Sequence, residues 1–384
     1  KGMCSVMSRR GLARGAAALA AAVTGATVVA PLASADTTTV NQTGYAVAYV
    51  SGGSLRVLEC TWPNGNALGG CSLVINGPAV APGTSPSITK VGARGYEVAY
   101  QGANHDLWIA GTLGGGDTGH AMMTTSSPAI VSPVVGGWDI AFQDTTGQLW
   151  TVGSDSRWDN AWGLPMDHAS SPSIAQFGTT SFQLAYETSA DTLGVVGVDG
   201  DLVEPTVALA PGTTPSIAQD PSSNGYDVAF QTNTAVMHVL SFTNGSNTIT
   251  SLSGPGTGMA PGSSPTLSNG PANAGNPNGG VETGFNEWQG LLWGEGSELD
   301  GPVITPRHPS GIQIAPGSSP ATIATILPAY LGGGTAPGFE MFYTDPSYNL
   351  RYVVRSAFTS NYLDPASPIG SIDQGTRPSV ISFQ

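Results

Sequence analysis

The 384-residue sequence predicts an all-β fold, specifically a seven-bladed β-propeller. First, glycine and proline are abundant, at 53 and 29 residues, and short alternating apolar segments lie between turn residues without long helical periodicity. Second, one strand-turn-strand unit recurs through the chain. Third, the two ends of the chain hold complementary parts of that unit. Together these observations favour one ring of similar four-stranded sheets.

Residues 1–35 are predicted to be a signal peptide. Arg9 and Arg10 precede an apolar run over residues 16–32, and Ala33-Ser34-Ala35 has the small-x-small form of a cleavage site. Glycine, threonine and proline interrupt the apolar run, which favours an exported leader over a membrane anchor. We therefore expect a secreted, extracellular chain of residues 36–384 that forms a single propeller domain.

The predicted mature chain is strongly acidic. Removing the leader takes away four of the twelve Lys and Arg residues and none of the 26 acids, so the formal charge falls from −14 to −18. Such a chain repels phosphate backbones and anionic lipid surfaces, because binding them requires clustered basic residues. We expect neither a nucleic-acid partner nor membrane insertion.

A strand with alternating large residues recurs seven times. Its aromatic, aliphatic and second aromatic residues share one face, and an acid or amide and a small Ala share the other. A turn and a second strand follow, which predicts a hairpin. The seven copies are Gly44–Tyr49, Gly95–Tyr100, Gly137–Phe142, Ser181–Tyr186, Gly225–Phe230, Gly280–Phe285 and Gly338–Tyr343.

A Ser-Pro or Thr-Pro pair heads each repeat, where proline can start a strand at little cost. The pairs recur every 42 to 55 residues, at Pro86, Pro128, Pro172, Pro215, Pro265 and Pro320. A period of this size in an all-β chain is typical of one propeller blade, with a solenoid as the main alternative.

The chain ends favour a closed ring. Residues 377–381 repeat the Pro-headed strand without a following aromatic strand, whereas residues 44–49 form the aromatic strand without a preceding Pro-headed one. A C-terminal strand that completes the N-terminal blade uses both halves and removes the exposed edge of a solenoid. The sequence therefore predicts seven blades with this closure.

Five repeats carry an acid at the same position of the aromatic strand. These acids are either ligand acceptors, one per blade, or structural groups that receive hydrogen bonds inside the fold. We favour the structural interpretation, because buried carboxylates must be paired in this way. The five acids are Glu97, Asp139, Asp227, Glu282 and Glu340.

Cys60 and Cys71 form an isolated pair in a chain that we expect to be exported, which favours a disulfide over two free thiols. The five histidines show no metal-ligand spacing, so no metal site is expected. The sequence also lacks a phosphate loop, a dinucleotide fingerprint and a Gly-x-Ser-x-Gly elbow. We therefore expect no cofactor and no catalytic residues.

Two segments combine indoles with polar side chains, as binding a sugar ring requires. Their residues are Trp158, Asp159, Asn160 and Trp162 in the first cluster, and Asn286, Glu287 and Trp288 in the second. For Trp162 the alternative is a packing position in the fourth strand of a blade.

The unit that runs from Ala81 to Ile88, through Gly95–Gln101 and on to Leu107-Trp108, resembles tandem repeats of exported actinobacterial proteins. More distantly it resembles tectonin-type and bacterial fucose-binding seven-bladed lectins. The resemblance covers nearly all of the predicted mature chain, although the lectins' own repeat motif is absent. It implies sugar binding in clefts between blades, through an aromatic side chain and polar groups.

We therefore expect a non-enzymatic, multivalent carbohydrate-binding protein whose partner is a glycan surface. The alternative is an adhesion or protein-binding scaffold, in which enlarged loops at Gly245–Gly280 and Gly294–Pro320 contact the partner. A polysaccharide hydrolase or lyase would instead need an unsymmetrical acidic cleft, for which Asp155, Asp159 and Asp167 are the densest acids.

Overall fold

The structure is a computed structural model, and the described residues lie in one compact unit that spans Ala35–Gln384. They form 27 strands and no helix, so they include no apolar helix of membrane-spanning length. The described ranges are 44–61, 70–133, 136–155, 159–197, 202–220, 225–243, 246–251, 258–270, 280–296, 311–327, 336–356 and 367–383.

The strands follow one another in antiparallel sheets that we call blades 1 to 7. Their bounds are β1 (Gly44–Ser51), β2 (Ser54–Thr61), β3 (Cys71–Ala79), β4 (Ser87–Val91), β5 (Gly95–Gln101), β6 (Asp106–Gly111), β7 (Gly116–Ala121), β8 (Ala129–Val131), β9 (Asp139–Gln143), β10 (Gln148–Gly153), β11 (Asn160–Pro165), β12 (Ser173–Phe177), β13 (Ser181–Glu187), β14 (Thr192–Gly197), β15 (Leu202–Ala208), β16 (Ser216–Asp220), β17 (Gly225–Gln231), β18 (Met237–Thr243), β19 (Ser246–Ser251), β20 (Thr266–Gly270), β21 (Gly280–Asn286), β22 (Leu292–Gly296), β23 (Ala321–Leu327), β24 (Ala336–Thr344), β25 (Asn349–Ser356), β26 (Gly370–Ser371) and β27 (Ser379–Ser382). The strand orders are β27-β1-β2-β3, β4-β5-β6-β7, β8-β9-β10-β11, β12-β13-β14-β15, β16-β17-β18-β19, β20-β21-β22 and β23-β24-β25-β26.

The blades close into a ring, as the sequence predicts. The first strand of each blade contacts the first strand of the next, in the order β4, β8, β12, β16, β20, β23 and β27, and β27 contacts β4 again. In blade 1, β27 pairs antiparallel with β1, so that Ser382 lies opposite Tyr45 and Ile381 opposite Ala46. The C-terminal strand therefore completes the N-terminal blade, and the closure prediction is confirmed.

The second strand of each blade is buried on both faces because blades stack front to back. In β5 the aromatic face and the Glu97 face are both inaccessible to solvent. Tyr96, Val98 and Tyr100 pack against the small Ala46 and Ala48 of blade 1. Large residues on one face thus meet alanines on the neighbouring blade, as the alternation in the sequence predicts.

The five repeated acids lie inside the blades, none more than 4% exposed. In three blades a glycine of the third strand lies directly opposite the acid, as Gly111 does for Glu97 and Gly153 for Asp139. A Cβ at Gly111 would lie 2.6 Å from Glu97 Oε2. Glu97 accepts a hydrogen bond from the Leu113 backbone N–H, and burial raises its pKa to about 7. This placement supports the structural interpretation of the acids.

Cys60 and Cys71 form the predicted disulfide. The two residues lie directly opposite each other on β2 and β3 of blade 1. The bond therefore ties the outermost strand of blade 1 to its neighbour.

Candidate functional site

One face of the ring carries the hairpin turns between the second and third strands, and we call it the turn face. On this face the chain enters the next blade beside the end of the second strand, where Ala81 N–H donates to Gln101 O at 2.9 Å. The same bond recurs in blade 3, from Met123 N–H to Gln143 O at 2.9 Å. The Gln101 amide also donates to Met123 O at 2.9 Å. Side-chain amides thus join adjacent blades beneath this face.

Trp288 stands on the turn face of blade 6 and is 58% exposed. Its turn is closed by a hydrogen bond from Gly290 N–H to Glu287 O at 2.7 Å, and Glu287 Oε2 accepts Gln289 N–H at 2.9 Å. Gly290 has a φ of 80°, a conformation that glycine adopts without strain. The backbone N–H of Trp288 donates to Gly258 O at 3.0 Å. The indole therefore rises from a rigid backbone.

The turn and the backbone hydrogen bond at Trp288 recur in other blades, but the tryptophan side chain does not. Ala103, Ser189 and Asn233 occupy the same turn position and donate their N–H groups to equivalent carbonyls. Trp288 is the only aromatic residue among the large apolar residues that are exposed within the described ranges. The remaining described tryptophans are buried or half-buried. An exposed, backbone-anchored indole thus breaks the sevenfold repetition at one place.

Asn286 does not reach the surface beside Trp288. It is fully buried, and its amide nitrogen lies 3.3 Å from Ala315 O and 3.2 Å from Ser318 O in the connection to blade 7. Its role matches that of Gln101 in blade 2, where the amide also bridges to the next blade. Asn286 therefore joins blade 6 to the connection into blade 7, while Gln289 is the exposed polar neighbour of Trp288.

The first predicted cluster is divided by the structure. Asp159 and Asn160 are exposed at the start of β11, and Asp159 Oδ1 accepts Gly153 N–H at 2.9 Å. Trp162 is half-buried, packs against the core of blade 4, and donates its indole N–H to Thr151 Oγ1 at 3.0 Å. It therefore takes the alternative, fourth-strand packing position. Trp158 lies outside the described residues.

Two of the three acids considered for hydrolysis accept hydrogen bonds from nearby backbone N–H groups. Asp167 Oδ1 accepts Ala169 N–H at 2.8 Å, as Asp159 does for Gly153. Asp155 is exposed in the turn that follows β10. The described residues contain no group of three or more His, Cys, Asp or Glu side chains placed to hold a metal ion. Most of the enlarged loop at Gly294–Pro320 lies outside the described residues.

Glu187 is a buried acid that sequence reasoning missed. It occupies the position where blades 2, 3 and 5 have Gln101, Gln143 and Gln231. Burial raises the pKa of Glu187 to about 8, Asp167 and Asp191 add to the rise, and a hydrogen bond from Gly212 N–H opposes it. The sequence did contain a signal for Glu187, because this repeat has an acid at a position where three other repeats have a glutamine.

The seven sheets and their closure define the protein as a seven-bladed β-propeller. No protein-family model matches the sequence, and no curated protein matches it. Among solved structures, it is similar to the BP39L lectin from Burkholderia pseudomallei, at 19% identity and a TM-score of 0.55, over 85% of this chain and 94% of that one. It is also similar to the fucose-specific lectin from Aleuria aurantia, at 11% identity and a TM-score of 0.50, over 76% of this chain and 97% of that one. At these identities the similarity shows a shared fold.

Proposed function

We propose that the protein is a secreted, non-enzymatic lectin-like propeller that binds surface glycans at several places on its ring. The observation that carries the proposal is Trp288, an indole that is 58% exposed on a turn whose copies carry small or polar residues. The predicted leader over residues 1–35 supports secretion.

The Trp288 turn has the chemistry that a sugar needs. The flat indole offers an apolar face to the C–H groups of a pyranose ring. Because this face stays in water, it contributes no burial free energy to folding. The exposed Gln289 amide beside it can donate to and accept from sugar hydroxyls. The Glu287 carboxylate is only 3% exposed and binds Gln289 N–H, so it holds the turn in shape.

Fucose is the first sugar to test. A lectin that shares the propeller fold is named as fucose-specific, and a point mutant of Aleuria aurantia lectin with the same fold was solved with α-methyl-L-fucoside. For this chain the sugar is a proposal that rests on fold and on the exposed indole.

A single shallow site of this kind would have about millimolar affinity, or roughly −4 kcal/mol. Two such sites that engage glycans at the same time would raise the apparent affinity on the order of a hundredfold or more. Asp159 is exposed in the turn between β10 and β11, and Asn160 is exposed at the start of β11, on the face of the ring opposite Trp288. Together with Trp158 they are the second proposed contact, so the two contacts would bridge two glycan chains. Multivalent binding therefore suits a protein built from repeats.

Intrinsic tryptophan fluorescence during titration with L-fucose, α-methyl-L-fucoside and galactose tests the proposal. We expect a saturable change for the bound sugar, and Trp288→Ala should remove the part of that change that the Trp288 indole contributes. Leu113→Ala is the matched control, because Leu113 is also apolar and 54% exposed but lies in blade 2. A saturable change of unaltered amplitude and midpoint in Trp288→Ala would exclude this site. Sugar hydrolysis lost in Asp159→Asn would replace the lectin proposal with an enzymatic one.

A protein-binding scaffold is the second candidate, and one observation favours it. The outer strand β3 of blade 1 pairs only with β2 and exposes Leu73 (48%) and Val74 (36%) side by side. An apolar edge strand is a template on which an extended peptide can add a strand. Loss of partner binding in Leu73→Lys with unchanged sugar titration would favour this function.

A further inference from the structure

The first strands line a solvent-open cavity of about 190 Å³ on the ring axis. Serine and threonine hydroxyls and the repeated prolines line it, together with the apolar side chains of Ile130, Ile174, Ile217, Leu267 and Val380. At roughly 30 Å³ per water molecule, the volume holds about six waters or one small ion with part of its hydration shell. The cavity is therefore large enough for a ligand of a few heavy atoms.

Hydroxyl groups around the axis receive backbone hydrogen bonds from the neighbouring blade. Ser85 N–H donates to Ser127 Oγ at 2.9 Å, and Ser127 N–H donates to Ser171 Oγ at 2.9 Å. Thr214 and Ser264 continue the pattern towards blade 7. Each hydroxyl that accepts such a bond can still donate its own O–H. For Ser85 and Ser127, no acceptor of that O–H is found among the described residues.

Position 377 interrupts this ring of hydroxyls. The residue before the repeated proline is Ser or Thr in six repeats and Arg377 in the seventh. The Arg377 backbone keeps the common pattern, because its N–H donates to Ser85 Oγ at 3.0 Å. Thr376 also keeps the common local bond, from its hydroxyl to Asp373 O at 2.7 Å. The substitution therefore changes only the side chain that the strand presents to the axis.

The Arg377 guanidinium has no hydrogen-bond or ion-pair partner among the residues that the structure describes. The nearest acid in sequence, Asp373, is occupied by the N–H groups of Gly52 and Gly53 at 2.8 and 2.7 Å. No Asp or Glu belongs to the described lining of the cavity, whereas Arg377 does. Burial lowers the pKa of Arg377, but arginine stays charged near neutral pH. Arg377 is half-buried, and a partly desolvated cation without a counter-charge is costly.

We propose that the axial cavity binds a small oxyanion, a carboxylate, sulfate or phosphate, against the Arg377 guanidinium and the surrounding hydroxyl donors. Guanidinium presents a planar fork of N–H groups that fits two oxygens of one anion. Hydroxyl donors from neighbouring blades would take the remaining oxygens. The site lies on the axis and uses none of the residues proposed to bind glycans.

Isothermal titration calorimetry of the full propeller with sodium sulfate, sodium phosphate and sodium acetate tests the site, with ionic strength held constant by sodium chloride. We expect one saturable anion per chain. Arg377→Ser should weaken binding at least tenfold, because it restores the hydroxyl of the other six repeats and keeps the backbone bond to Ser85. Arg377→Gln removes the charge but keeps much of the side-chain length, and it should also weaken anion binding at least tenfold. This variant replaces Arg377→Ser in the experiment if Arg377→Ser does not fold.

Unchanged affinity in folded Arg377→Ser or Arg377→Gln, or no saturable heat with any of the three anions, would overturn the proposal. The glycan and anion proposals fail separately. Arg377→Ser should leave the sugar-dependent fluorescence change intact, and Trp288→Ala should leave anion binding intact.

Discussion

Glu187→Gln tests whether ionisable groups buried between blades make the fold sensitive to pH. The pKa of Glu187 rises from an ordinary 4.5 to about 8, first because of burial and then because of Asp167 and Asp191. One Glu187 oxygen accepts Gly212 N–H at 3.1 Å, and the other has no partner in the described structure. Gln fits the same place in blade 2, where the Gln101 amide donates to the next blade.

The sign of the effect follows from proton binding. Between pH 4.5 and about 8 the folded protein keeps the Glu187 proton while the unfolded chain has lost it. Stability contributed by this residue is therefore present at pH 4.5 and lost as the pH rises towards 8. At about 1.4 kcal/mol per pKa unit the full shift would correspond to about 5 kcal/mol. Relaxation of the protein and water penetration around the carboxylate recover much of this burial cost, and water screens the half-buried Asp167 and Asp191, so we expect about 2 kcal/mol.

Urea unfolding of wild type and Glu187→Gln at pH 5 and pH 8.5 measures the pH-dependent contribution of Glu187 to the free energy of unfolding. At pH 5 the protonated acid and the amide have similar shape and donor capacity, so the two proteins should unfold at similar urea concentrations. At pH 8.5 the variant should be more stable by about 2 kcal/mol. A stability difference that does not change with pH would refute the assignment of the raised pKa to Glu187.

Two further perturbations test the packing of the blades. Gly111→Ala should destabilise the protein by about 3 kcal/mol in urea unfolding, because the new Cβ would meet the Tyr96 carbonyl oxygen. Gly153→Ala should cost about 1 kcal/mol, because its Cβ meets the Asp139 side chain and the nearest backbone atom, Trp138 O, lies 3.6 Å away. Equal costs for the two variants would contradict this reasoning. Replacing Cys60 and Cys71 by Ala should lower stability by about 3 kcal/mol, from the loop that the disulfide closes. An unchanged urea midpoint in the double variant would show that the bond does not stabilise the fold.

The repeat predicts the ring because each copy specifies both its own strand and the contacts of that strand with the neighbouring blade. Alternation places Tyr96, Val98 and Tyr100 on one face, and the small Ala46 and Ala48 of the adjacent copy leave room for them. The incomplete units at residues 44–49 and 377–381 predict the closure that β27 and β1 form. Local pattern and tertiary packing agree at these positions.

The candidate site is less predictable, because side-chain direction depends on register and on the neighbouring blade. The pairing of β10 with β11 shifts register between Gln148 and Trp150, so alternation along the chain does not reveal that Trp162 turns towards blade 4. For Asn286 the signal was present, since it aligns with Gln101 and both amides bridge to the next blade. Arg377 was visible in the sequence as a departure from Ser-Pro, but its position beside the axial cavity is evident only from the closed ring.

A glycan array probed with wild-type protein and with Trp288→Ala tests the central claim most directly. The proposed function predicts that wild type binds a defined group of glycans, with fucosylated glycans examined first. Trp288→Ala should bind the same glycans at least tenfold more weakly, because the exposed indole supplies the stacking surface. Absence of glycan binding by folded wild type at high protein concentration, or equal binding by both proteins, would contradict the account.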